Sequence, residues 1–546
     1  MAQSKHPKAL PFLFLTEMWE RFGYYLMIGI FQLYLTDTQS GGLGMDRKDA
    51  ADIFGTFIAF VYLTPFLGGL LADKKLGYSK SIFIGGTLMG LGYLGLALNQ
   101  LSTFYISLAL VVIGNGFFKP NISTLLGNLY SDPSMKSKKD SGYNIFYMGI
   151  NVGAFICNFF AAFLRNSIGW GAAFTAAGVG MFLGLIVFYL GRKHYQHADV
   201  RKPANKEDMS VSKIFSNVLL PAIAVGIGGW LIPGNIFGSD SSDAFIFAAI
   251  PVSAFYISLY FRASAEDKKP LAALLAIFAV GMMFWAVFKQ NGTALTTWAQ
   301  FYTDRSIPAV IEGPTKALYL TETATNKLDS VPLFDSEFRV VRDANKVPLK
   351  HLGKDVYFQN LPEEKMPPEG ESVSLFNTEL FQSINPFFII ILTPLLIWFF
   401  SLLRKRKREP TTPGKIAWGL LVTGISTLAM VAACYVSSNG AIKVSPMWLV
   451  STYGIVTIGE ICLSPMGLSL VSKLSPPRLT SLMMGGWFLS ISIGNKLSGI
   501  LATLWDTYEV KANFYWVNFG LLMISTILIF SMLKWLNRIF KEKTGE

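Results

Sequence analysis

Charge is scarce in this chain. Only 15% of its 546 residues are Asp, Glu, Lys or Arg, while 52% are hydrophobic; an average soluble domain carries about 25% charged residues. With a mean hydropathy of +0.42, this balance excludes an ordinary water-soluble fold and points to a membrane. Cysteine is scarce too. Cys157, Cys434 and Cys462 are the three present, all in apolar stretches and without CxxC or metal-ligand spacing, so neither a disulfide framework nor a metal site is expected. The four histidines, His6, His194, His197 and His351, fall in tails, loops or a polar insertion. A proton relay within the apolar region must therefore use carboxylates, whose charged form a low dielectric disfavours. No Walker-type lysine loop, GxSxG turn or His/Cys cluster occurs, which argues against an ATP-driven pump or an enzyme. No cofactor is called for.

Long hydrophobic runs are what the chain has. At about 20 residues per crossing, fourteen spans are expected, near 10–35, 53–72, 81–98, 104–129, 144–166, 170–190, 214–233, 244–261, 270–302, 380–403, 414–436, 446–473, 479–505 and 513–540. The first is long and lacks a small-residue cleavage site, so it reads as a retained span. The formal charge of +12 could suit nucleic acid, but the basic residues sit in alternate short loops. They include Lys5 and Lys8, Lys74 and Lys75, Lys136, Lys138 and Lys139, Arg192, Lys268 and Lys269, the run Arg404 to Arg408, Lys473 and Arg478, and Lys534 to Lys543. That pattern places both termini in the cytoplasm of a cell (inner) membrane protein, and no nucleic-acid partner is expected. Residues 303–379 break the pattern. They are polar, rich in proline and external by parity, with a short alternating piece, Phe338 to Val341, that predicts β structure, and an irregular stretch from Pro362 to Gly370.

Inside the first span lie Glu17, Glu20 and Arg21. Each ionisable residue at bilayer depth costs roughly 2.5–3.5 kcal/mol on insertion scales. Residues 17, 20, 21, 24 and 28 share one helix face, so the cluster reads either as a proton and substrate site or as a structural lock between helices. Other charges at depth are Lys119, Lys289, Glu460 and Lys496; Lys496 has no legible partner. Gly85, Gly86 and Gly90 read as close helix packing.

These residues carry a resemblance. Glu17-Met-Trp-Glu20-Arg21-Phe-Gly-Tyr-Tyr resembles the ExxERFxYY motif of the proton-coupled oligopeptide transporter (POT) family of the major facilitator superfamily. Phe146 to Gly153 resembles its FYxxINxG signature, Gly116 to Asn121 its fourth-helix lysine motif, and Gly69 to Lys74 the superfamily's loop motif. The resemblance covers essentially all spans. It implies an all-α membrane protein with two six-helix bundles around a central cavity, residues 1–197 and 269–546, joined by a 198–268 linker with two extra helices; the external insertion 303–379 interrupts the second bundle.

The function implied is proton-coupled uptake of di- and tripeptides by alternating access, as a functional monomer. The alternative is transport of another small organic anion or drug-like substrate. Glu17, Glu20 and Arg21 would couple protons, with Arg21 also meeting a substrate carboxylate. Lys119 and Glu460 would form a gating pair when the cavity faces outward, or meet the two peptide ends, unless they make a permanent salt bridge. Asn151 and Asn385 would bind the peptide backbone, although Asn385 before Pro386 can also mark a helix break. Tyr24, Tyr25 and Tyr62 would line the cavity, and Trp285, Trp487 and Phe488 a side-chain pocket; packing is the alternative for all of these aromatics. Many bacterial members carry an arginine at the position of Ile28 and a glutamate at that of Lys289, forming an external gate. Here both differ, so Arg47 with Asp304 is the expected substitute latch, and Lys289 is an added cation that can restore carboxylate binding.

Overall fold

The computed structural model describes residues 6–130, 135, 138–200, 211–476 and 479–544. Lys5, Lys136 and Arg478, counted above among the basic loop residues, lie outside these. Helices α1 (Leu10–Thr36), α2 (Arg47–Leu71), α3 (Tyr78–Leu96), α4 (Leu101–Leu129), α5 (Lys139–Ser167) and α6 (Trp170–Leu190) pack on one another, α1 chiefly against α5 and α6 and α4 against α2 and α3. Short α7 (Arg192–Tyr195) and α8 (Val211–Ile214) precede α9 (Leu220–Trp230), which packs along α10 (Asp240–Arg262). Then α11 (Ala265–Phe288), a 3-10 turn over Lys289–Gly292 and α12 (Ala294–Phe301) form one broken rod. After the insertion come α14 (Ile384–Lys405), α15 (Thr412–Val436), α16 (Met447–Leu474), α17 (Thr480–Thr503) and α18 (Lys511–Thr544), with α15 packed on α16 and α18, and α11 on α17 and α18.

Every expected span coincides with a helical rod, and among the described residues ten helices are long and apolar enough to cross a membrane. The first rod is not among the ten because Glu17, Glu20 and Arg21 lower its hydropathy; α3 and α17 are diluted by glycine, serine and lysine, and α9 is short. Local chemistry sets the helix starts. Asp46 caps α2 by accepting from the Lys48 amide, Ser239 caps α10 and Ser264 caps α11. Glycine lets the rods meet where expected: a Cβ on Gly85 would lie 2.5 Å from the Gly114 carbonyl of α4, so α3 and α4 touch at the backbone.

The insertion holds α13 (Ala309–Ala317) and two small antiparallel pairs, β1 (Thr321–Thr325) with β4 (Ser372–Phe376), and β2 (Asp329–Pro332) with β3 (Lys350–Gly353). The piece Phe338 to Val341 is not a strand. Phe338 takes φ +57° and turns inward to stack on Phe301 at 5.2 Å, while Val340 pairs with Phe334 in an isolated antiparallel bridge. Around it Trp298, Tyr302, Trp505 and Tyr515 form a second aromatic core. Ionic contacts complete the seat. Burial opposes ionisation of Glu322, but Arg305 and Arg165 on either side outweigh it and hold its carboxyl at about 2.

One buried cation on this face is less well matched. Lys443, 5% exposed, donates to the Phe301 carbonyl at 2.5 Å and sits over the Tyr357 ring. Burial, with Arg305 nearby, pushes its ammonium down to about 7 despite Asp304 and Asp355. The unfolded chain therefore binds more protons than the native one between about pH 7 and the ordinary lysine range, and this residue's destabilising contribution fades as pH rises through that window. Lys443→Met should raise the melting temperature most below pH 7, and the gain should shrink towards pH 10; thermal unfolding in detergent across that range measures it.

Candidate functional site

At mid-height α1 presents Glu17, Glu20 and Arg21, all 2% exposed or less. Arg21 forks onto both oxygens of Glu20, stands 3.5 Å from Glu17 and lies over the Tyr24 ring at 5.0 Å. It also reaches Asn115 Oδ1 of α4 at 3.4 Å, and Asn115 in turn donates to the Val61 carbonyl of α2 at 2.8 Å. The cluster thus ties three helices together. One atom is left over: Glu17 Oε2 is buried with no hydrogen-bond partner. A lone carboxylate oxygen in that setting costs about 1–3 kcal/mol, more when charged, and is a natural place for a proton to come and go.

Tyr62 of α2 is the meeting point of the two helix sets. Lys119 Nζ from α4 lies 4.1 Å from its ring centre and Lys289 Nζ, at the break between α11 and α12, lies 5.8 Å away. Trp285 tilts against the same ring at 6.5 Å. The break explains how Lys289 arrives there, since it is the first residue of the 3-10 turn that ends α11. Lys119 is within electrostatic reach of Glu17, Glu20 and Arg21, and Lys289 of Glu460. On α16, Glu460 accepts from Asn385 Nδ2 at 2.9 Å, and the same amide nitrogen donates to Thr457 Oγ1 at 2.9 Å. A chain of charges therefore runs from α1 through Tyr62 to α16.

Other expected residues fall differently. Pro386 occupies the first turn of α14, where its missing amide costs little; Asn385 is thus a helix-start residue aimed at Glu460 and not a helix break. Lys119 and Glu460 are not paired here, which excludes a permanent salt bridge. Asn151 spends its amide on the Tyr147 carbonyl of its own helix at 2.9 Å. Tyr24 is buried beside the half-exposed Tyr25, at 5.3 Å between rings. Trp487, expected in a side-chain pocket, is instead a packing residue: 1% exposed and wedged against Gly467 and Gly281, where its bulk fills the space the glycines leave. The Arg47–Asp304 latch does not form. Arg47 binds Asp506 at 2.9 Å and the carbonyls of Glu337 and Phe338. Asp304 is filled by Ser306, Tyr357 and Lys365; these donors outweigh burial and hold it at about 2.

The seal between the two sets lies elsewhere, on the face that carries the insertion. Lys496 of α17 is fully buried and pairs with Asp52 of α2 at 2.7 Å, also donating to Thr56 at 2.6 Å. Three hydroxyls from the start of α10 converge on the same carboxylate: Ser239 and Ser242 on Oδ1, each at 2.9 Å, and Ser241 on Oδ2 at 2.5 Å. Beside it α2 and α17 touch at bare backbone, because a Cβ on Gly55 would stand 2.6 Å from Gly499 Cα. Ser492 donates to the Ala59 carbonyl and Ser383 to the Phe155 carbonyl, so α5 and α14 close the same face. Among the described residues, the hydrogen bonds assigned between α1–α6 and α11–α18 cluster here. The insertion straddles the seal, held by Arg47 and Arg165 from one set and Lys511 from the other; it leaves a polar vestibule of about 660 Å³ lined by Gln32, Asp37, Arg47, Arg165 and Arg305.

The family model described as PTR2, POT family, matches residues 79–318 and 372–517, passing over β1 to β3 of the insertion. An uncharacterized transporter, YclF, of Bacillus subtilis is 32% identical, with 95% of this chain and 92% of the relative covered. The peptide transporter YePEPT of Yersinia enterocolitica is 30% identical over 91% of this chain and 87% of the relative. A crystal structure of peptide transporter POT in complex with sulfate superposes with a TM-score of 0.74 at 28% identity, covering 98% of this chain and 97% of that one.

The Asp52–Lys496 pair is open to direct measurement. Lys496→Met alone leaves the part-buried Asp52 carboxylate with only its serine donors and should cost about 1–3 kcal/mol. Combining it with Asp52→Asn should recover at least 1 kcal/mol of that loss. Unfolding of both single variants and the double variant in detergent gives the coupling.

Proposed function

This chain belongs to the POT family, and on that premise we propose that it imports di- and tripeptides together with protons, as a monomer in the cell (inner) membrane with both termini in the cytoplasm. It is a transporter and not an enzyme. The observation that carries this reading is the line of ionisable groups from Glu17 on α1 to Glu460 on α16, interrupted only by Tyr62. A small peptide is a zwitterion. Arg21 and Lys119 offer its carboxylate a positive pole, and Glu460, oriented by Asn385, offers its amino group a negative one. Recognition of both ends with few side-chain contacts admits many sequences.

Residues 1–197 and 269–546 then act as two rocking bundles, with the 198–268 pair between them. On this reading the fastened insertion side is the closed one, and a substrate at Tyr62 exchanges with the cytoplasm. Opening the insertion side requires the Asp52–Lys496 pair to part, and Asp52–Lys496 takes the place of the expected Arg47–Asp304 latch. Lys119 and Glu460, apart here, pair when the cytoplasmic side closes. Protonation of Glu17 or Glu20 weakens their hold on Arg21 and Lys119 and biases that exchange. The differential affinity of proton and peptide for the two states supplies the coupling.

Glu20→Gln separates proton coupling from binding. The variant should lose accumulation of dialanine under an inward proton gradient by about a hundredfold, an effect of ~2.7 kcal/mol, while gradient-free peptide exchange persists. Proteoliposome uptake and counterflow measure the two. Wild-type accumulation by Glu20→Gln would contradict the assignment.

A further inference from the structure

The corner around Tyr62 holds more positive charge than a zwitterion needs. Lys119 and Lys289 both approach its ring, at 4.1 and 5.8 Å, and both are only part-buried. Among the described residues neither has a carboxylate within ion-pair distance. Glu17 and Glu20 are held by Arg21, and Glu460 gives Oε2 to Asn385. Glu460 is within electrostatic reach of Lys289, but one carboxylate can answer one ammonium, not two. The other neighbours of Lys289 are the rings of Trp285 and Phe288, at 5.9 and 5.5 Å. Aromatic faces stabilise a cation without cancelling its charge.

Two ammonium groups around one ring repel each other, and that repulsion persists until an anion joins them. A peptide's terminal carboxylate satisfies one. The second remains, on the side of Trp285, and it faces whatever the ligand presents there. An acidic side chain brings a second carboxylate to the open position, whereas a basic side chain meets a like charge.

On the reading that this is a peptide transporter, we propose that Lys289 makes it selective for anionic peptides, those whose side chain carries a second carboxylate, with Lys119 and Lys289 each taking one carboxylate beside Tyr62. Lys289 is thus a specificity-determining residue, acting through a charge contact with the ligand's side chain.

The test uses the full-length protein in liposomes, with unlabelled Ala-Glu, Ala-Ala and Ala-Lys competing against labelled dialanine. The readout is the ratio of inhibition constants, which is independent of the absolute rate of each variant. Wild type should favour Ala-Glu over Ala-Lys by about tenfold, the order of one unit-charge contact in such a site. Lys289→Arg should keep that ratio, Lys289→Gln should bring it to about one, and Lys289→Glu should invert it. A wild-type ratio near one, or a ratio unchanged in Lys289→Glu, overturns the proposal while leaving peptide transport intact. Absence of dialanine uptake and of any peptide competition by wild type overturns the peptide reading itself, and this inference with it.

Discussion

A charge buried among helices must be matched where it stands, because no bulk water is there to solvate it. The placement of ionisable groups in this protein follows from that constraint. Arg21 is matched by the fork onto Glu20, and Lys496 by Asp52 with three serine hydroxyls. These matched groups fasten helices: the first joins α1 to α4 and α2, and the second closes α2 on α17. Lys119, Lys289, Glu460 and one oxygen of Glu17 are incompletely matched; the two lysines meet at Tyr62, with Glu17 within reach of Lys119 and Glu460 of Lys289. Matched charge holds the fold in this conformation; on the proposed reading, unmatched charge is what ligand and proton answer.

The same division explains the accessory parts. The extra pair α9–α10 reaches the seal through the start of α10, where Ser239, Ser241 and Ser242 complete the coordination of Asp52. The insertion reaches the same face through Arg47, Arg165, Phe338 and Lys511. Both elements that lie outside a minimal twelve-helix plan therefore bear on one place, the side that is closed.

Much of this was legible in the sequence. The spans followed from apolar runs alone, since a helix that crosses lipid must hide its backbone over a fixed length. Glu17, Glu20, Arg21, Lys119 and Glu460 stood out because charge at depth is costly. What stayed hidden depends on contacts between segments far apart in the chain. Asp52 lies one residue before the expected second span, so Lys496, 444 positions away, has no partner legible in the sequence. Trp487 carries an amphipathic ring whether it lines a pocket or fills the gap left by Gly467 and Gly281; only packing decides. Arg47 and Asp304, expected as a substitute latch, each meet other partners, Arg47 on Asp506 and the Glu337 and Phe338 carbonyls and Asp304 on Ser306, Tyr357 and Lys365, all but Asp506 in an insertion whose fold local pattern does not specify.

The central claim is that incompletely matched charge around Tyr62 couples peptide movement to protons. The most direct measurement is dialanine uptake into proteoliposomes under an inward acid gradient, with and without an uncoupler. The account predicts accumulation above the external concentration that collapses to equilibrium when the uncoupler is added. Accumulation that survives the uncoupler, or uptake that never exceeds equilibrium at any gradient, would contradict it.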